Sequence, residues 1–256
     1  MKHTAVCPEL DRTEETAFMA VITTKNYGRL LCVGSILDEY HVLTARSCFD
    51  KSDAATLTVI AGYQSPYWGK NSQVKYAEKI ILHKDKELAI IVLRKPFDFT
   101  STVKPIKIIG PEKMNDEFEE SYPPPYAVVG FEVPEYLEQP ALIPRTISYH
   151  MIDEKFEKCD EKCHKFQDEK LYFCTDGKAG FNWGGMGSPT IIPVQKEFVL
   201  VGVLFNYKCT VEKEEEPAQQ PPPAQPTEAP ELPVHHVHIR ADRFYKWIKA
   251  NSYVGR

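Results

Sequence analysis

Residues Trp183–Thr190 read WGGMGSPT, a glycine-rich turn near the start of the last third of a 256-residue chain. Met186, at its centre, carries a thioether, which has no proton to lose and cannot form an acyl intermediate. Ser188 is a hydroxyl two residues on. Upstream, Gly34–Phe49 reads GSILDEYHVLTARSCF, in which Cys48 lies sixteen residues after Cys32. Around this stretch run short apolar or β-branched segments bounded by turn residues: Val21–Thr24, Leu30–Val33, Ser35–Leu37, Val42–Thr44, Leu57–Ala61, Lys79–Leu82 and Ala89–Leu93. Few windows show a helical period, and short strands at close spacing predict an all-β barrel or sandwich.

Composition narrows the classes. The chain is 43% hydrophobic, enough for one large domain or two fused small ones with a real core. Its formal net charge is −5, so no basic surplus suggests nucleic acid or an anionic membrane as partner. No apolar run reaches the length of a membrane-spanning helix. The first residues, MKHTAVCPELDRTEE, lack the apolar core of a secretory leader. The expectation is a protein that stays in the cell, or a chain that starts after its leader. Seven cysteines, an odd number, leave at least one thiol free or paired to another chain. Cys159, Cys163 and His164 form a metal-like cluster, though such short clusters are usually incidental or disulfide-bonded. His236 and His238 alternate on a candidate strand and offer a zinc-binding alternative beside the plainer reading of solvated loop-edge histidines. Asp153–Leu171 is charged and reads as a short helix with Phe156 and Phe166 as apolar contacts. Val211–Pro233, VEKEEEPAQQPPPAQPTEAPELP, is acidic, proline-rich and free of aromatics, a composition that excludes a packed core. It is either a partner-binding arm or a tolerated insertion.

Taken in order, these segments resemble the trypsin-like serine proteases. WGGMGSPT is similar to that family's G-D-S-G-G-P: Gly184, Gly187 and Pro189 keep their places, while Gly185 stands for the aspartate, Met186 for the nucleophilic serine and Ser188 for a glycine. Gly34–Phe49 resembles GSLI…WVLTAAHC, with Ser47 in place of the catalytic histidine. Ile80–Leu93, IILHKDKELAIIVL, resembles the segment that carries the orienting aspartate, here Glu87. Val103–Ile106, Ala127–Phe131 and Val237–Asn251 resemble the inter-domain crossing, the first strand of the second barrel, and the last strand with its terminal helix, where Ala241, Phe244, Trp247 and Ile248 share a face.

The resemblance implies two six-stranded antiparallel β-barrels with a C-terminal α-helix. The first would occupy residues 1–110 with an N-terminal extension, and the second residues 111–256 with 211–233 as an insertion. It implies disulfides Cys32–Cys48 and Cys159–Cys174, and an oxidising, extracellular location. Cys7, Cys163 and Cys209 are left without assigned partners. Gly184 would be the retained oxyanion-hole glycine, and Gly180 and Gly185 altered pocket positions. Asn182 replaces the cysteine that would brace the pocket with Cys209. No activation-type start precedes Phe18, the nearest stretch being Arg12–Glu15, and Gly185 could not pair with a freed amino terminus.

With Ser47, Glu87 and Met186 at the triad positions, the resemblance implies a non-catalytic homologue, of the kind arthropods use as cofactors, decoys or recognition factors. Such a protein would act by binding other proteins, without cofactor or metal. A hydroxyl at position 47 has no pKa near 7 with which to take a proton. The alternatives are a cryptic hydrolase using Ser188 or Ser47 with His41 or His83, and a metal- or ligand-binding secreted protein.

Overall fold

The computed structural model describes residues 16–24, 30–49, 54–62, 72–110, 126–131, 149–154, 156–157, 159, 166, 168, 170–175, 185–194, 197–209 and 235–254. The β-branched runs near the N-terminus become six strands: β1 (Met19–Thr24), β2 (Leu30–Ile36), β3 (His41–Thr44), β4 (Leu57–Ala61), β5 (Gln73–Leu82) and β6 (Ala89–Leu93). They close an antiparallel barrel in the order β1-β2-β3-β6-β5-β4. Two runs that read as separate strands, 30–33 and 35–37, merge into β2, because Gly34 continues the pairing with β1 at Ala20. Closure leaves no unpaired edge, which suits strands this short.

Alternate residues along these strands feed two cores, as a period of two requires. Ala20, Ile22, Leu57, Val59, Ala89 and Ile91 pack within the first barrel alone. Met19, Val21, Ile60, Leu88 and Ile90 belong to a cluster that also holds Val129, Leu200, Val203, Ile239 and Ile248. The second core therefore runs without a break into the C-terminal half.

That half is a sheet of β7 (Lys107–Ile108), β8 (Tyr126–Phe131), β9 (Tyr149–Glu154), β10 (Phe156–Glu157), β11 (Tyr172–Thr175), β12 (Pro189–Val194), β13 (Glu197–Cys209) and β14 (His235–Arg240). Its path is β10-β11-β14-β13-β12-β8-β9, with β7 parallel to β13. β9 pairs with β8 and β10 with β11, yet β9 and β10 are neighbouring pieces of one run, 149–157. Among the described residues these strands form one paired sheet. This corrects the expected helix over 153–171 at its start: residues 153–154 and 156–157 are strand. Their charge did not decide the matter, because β8 pairs with 153–154 and β11 with 156–157, which supplies the backbone with hydrogen-bond partners.

The terminal helix is short. A 3-10 turn, Asp242–Phe244, leads into α1 (Tyr245–Ala250), and Ala241, Phe244 and Ile248 are buried while Trp247 packs against the same cluster. Disulfides join Cys32 to Cys48 and Cys159 to Cys174. Among the described residues no helix is long and apolar enough to cross a membrane. The extension 1–15, the segment 111–125, the insertion 211–233, Gly180, Asn182, Gly184, Cys7, Cys163, His164 and the side chain of Cys209 lie outside the described residues.

Candidate functional site

The turn 185–188 is hydrogen-bonded to both halves of the molecule. Val33 N–H, on β2, donates to the Met186 carbonyl at 2.9 Å. On the other side Gly187 N–H donates to Leu204 O at 2.8 Å, and Leu204 N–H returns to Ser188 O at 2.9 Å. Ser188 N–H closes the turn onto Gly185 O at 3.1 Å. Gly187 has φ +83°, and a Cβ there would lie 2.1 Å from Val33 O and 2.2 Å from Thr44 Oγ1. Only glycine fits that conformation and that gap. Met186 is partly buried and its side chain packs against both cores.

From this turn the contacts run to the other two triad-position segments. Thr44 Oγ1 donates to Val33 O at 2.6 Å and lies 3.6 Å from Cys48 Sγ. Cys48 sits in the 3-10 turn Arg46–Phe49, where Ser47 is exposed. Arg46 Nη1 donates to the carbonyls of both His83 and Lys84, each at 2.7 Å. The loop they belong to leads into β6 and carries Glu87, half-buried just before the strand. Ser47, Glu87 and Met186 therefore sit on three segments that are tied to one another. Neither Glu87 nor Ser47 makes an ion pair or side-chain hydrogen bond to another described residue.

The candidate histidines are engaged elsewhere. His41 Nδ1 lies 2.7 Å from Asp38 Oδ1, and its ring meets Tyr253 edge-on at 4.9 Å. Asp38 also accepts from Tyr40 N–H at 2.9 Å and Tyr253 N–H at 2.7 Å. Burial pushes the Asp38 carboxyl up, but these bonds, led by His41, hold it below its ordinary value. This cluster fastens the chain after α1 to the first barrel. His83 stands edge-on to Phe244 at 5.3 Å and Trp247 at 5.0 Å, and its Nδ1 accepts from Asp85 N–H at 3.3 Å. Burial, with Lys86 and Arg46 nearby, lowers its pKa against the opposing pull of Asp85. Ser188 is fully buried, and its Oγ has no partner among the described residues, so no described histidine reaches it.

His236 and His238, read from the sequence as solvated or zinc-binding, are 1% and 0% exposed. Both faces of β14 are covered, which loop-edge reasoning missed. His238 Nε2 lies 2.8 Å from Thr175 Oγ1, Nδ1 lies 2.7 Å from Thr190 Oγ1, and the ring stacks on Phe173 at 4.8 Å. With both ring nitrogens so bonded, no lone pair is left for a metal. Burial, then His236, holds its pKa well below the ordinary value, so the ring is neutral. Among the described residues no group of three or more His, Cys, Asp or Glu is placed to hold a metal ion. The clasp made by Arg46 and the rings around His83 carried no signal in the sequence, since their partners lie far along the chain.

A family profile described as Trypsin matches residues 9–219, more than half of the chain. A collagenase from Hypoderma lineatum is 32% identical over 104 residues, 38% of this chain and 38% of the relative. The alignment thus spans well under half of that relative's length. The closed six-stranded barrel, the paired sheet and the terminal helix agree with the profile match. The chain belongs to the trypsin family.

Proposed function

We propose that this chain is a catalytically inactive serine protease homologue that acts by binding other proteins, as a cofactor, decoy or regulator in an extracellular proteolytic, immune or reproductive process. The observation that carries the reading is Met186. It occupies the centre of a turn bonded to both halves of the molecule, and its side chain is a thioether packed against two apolar cores. A thioether can neither be activated by a base nor hold an acyl group. Ser47 and Glu87 support the same reading, since a hydroxyl cannot serve as a base near neutral pH and the glutamate has no imidazole to orient. The matched relative is named a collagenase. In this chain the positions that would carry such an activity lack a base and a nucleophile.

The two disulfides support an oxidising, extracellular setting. A cryptic hydrolase finds no favouring observation. Ser188 Oγ is sealed from solvent, His41 is tied to Asp38, and His83 is packed beneath α1. The test is turnover of a mixed library of fluorogenic peptide and ester substrates by the full chain. Rates equal to buffer are expected. Hydrolysis abolished by Ser47→Ala or Ser188→Ala would contradict the proposal.

A further inference from the structure

Met186 and Cys48 are two partly buried side chains that pack against both the core of the first barrel and the core that continues into the second sheet. Cys48 is already oxidised, in its disulfide with Cys32. Met186 keeps part of its surface in solvent, whereas Met19, the other methionine whose side chain is described, is only 5% exposed. The backbone of Met186 cannot swing away to relieve a change in its side chain. Its carbonyl is bonded to Val33, and the following glycine is wedged against Val33 O and Thr44 Oγ1.

We propose that Met186 is a methionine-oxidation site, and that its conversion to the sulfoxide by hydrogen peroxide loosens the joint between the two halves of the molecule. A lone pair on the thioether sulfur attacks one peroxide oxygen and the O–O bond breaks. That oxygen stays on sulfur, and the other leaves as water after proton transfer. The sulfur loses two electrons and the peroxide gains them. The product is polar and needs a hydrogen-bond donor, which the two apolar clusters packed against Met186 cannot supply. Since its backbone is fixed, the side chain finds a donor by turning the sulfoxide toward the solvent it already meets, and so away from one or both cores. The inference does not depend on whether the chain hydrolyses anything.

The full chain would be treated with graded hydrogen peroxide, digested, and the added oxygen measured on the peptides holding Met186 and Met19. Met186 is expected to oxidise severalfold faster, with a fall in Tm of about 2–4 °C, the size that a modest local loss gives in a domain this large. A methionine sulfoxide reductase should restore the Tm. Met186→Leu, which keeps the apolar bulk without the sulfur, should fold and lose the Tm response to peroxide. Equal protection of Met186 and Met19, oxidation of Met186 with unchanged Tm, or a full response persisting in Met186→Leu would each overturn the proposal.

Discussion

The turn 185–188 and the loop 83–87 both meet the first barrel beside the Arg46–Phe49 turn, but they are held in different ways. The 185–188 turn is fixed by backbone hydrogen bonds and by a glycine that nothing else can replace. The 83–87 loop is fixed by side chains: the Arg46 guanidinium on two carbonyls, and His83 against Phe244 and Trp247. Backbone geometry of the first kind serves as scaffold whatever side chain stands at position 186. Contacts of the second kind can be exchanged one residue at a time. A protein could thus lose the groups a protease needs while the frame around them stays intact.

The sharpest way to break this contrast is Gly187→Ala. A Cβ 2.1 Å from Val33 O and 2.2 Å from Thr44 Oγ1, at a positive φ, should cost upwards of about 4 kcal/mol, combining strain with overpacking. Chemical denaturation would show no stable cooperative transition. An unchanged midpoint would mean that the backbone wedge does not matter.

Removing the Cys32–Cys48 bond as a double serine variant should cost about 3 kcal/mol, from the freed loop entropy of the unfolded chain. The loss is global, so the midpoint in denaturant is the readout.

Arg46→Met tests the side-chain half of the comparison. It keeps the aliphatic stem and strands two carbonyls that water can partly reach, for a loss of about 1–2 kcal/mol. It also removes one of the charges that depress His83, so the His83 pKa, followed by NMR, should rise.

A pH series tests the neutral state of the buried His238. His238 has a folded pKa below its ordinary 6.5, so the neutral ring stabilises the fold above pH 6.5, and this stability is lost as the pH falls below it. The slope for one proton is at most about 1.4 kcal/mol per pH unit. Asp38, also depressed, stabilises above 3.8 and is lost only as the pH falls below that value, so the first acid step belongs to histidine. Stability flat from pH 7 to 5 would contradict the neutral His238. The smallest effect is expected for Ser47→Ala, an exposed side chain with no described partner, at under about 0.5 kcal/mol.

What could be read from the sequence followed local pattern. The strands of the first barrel alternate or run apolar between turn residues, so their existence and type were legible. The terminal helix was marked by Phe244, Trp247 and Ile248. The strand residues 153–154 and 156–157 were not, because their pairing with β8 and β11 is decided by neighbours distant in sequence. His238 was misjudged for a similar reason: Thr175 and Thr190, which bond its two nitrogens, are 63 and 48 residues away. The three triad-position segments were legible as motifs. That Arg46, next to Ser47, would bind the loop carrying Glu87 was not, since an arginine in a polar turn reads as solvated.

The most direct test of the central claim is labelling of the natural chain with a fluorophosphonate probe, before and after limited trypsin digestion. It would be run beside a variant carrying Ser47→His, Glu87→Asp, Gly185→Asp and Met186→Ser. The account predicts that the natural chain stays unlabelled in both states. A labelled natural chain, with the modified residue mapped to Ser47, Ser188 or any other serine, would contradict it.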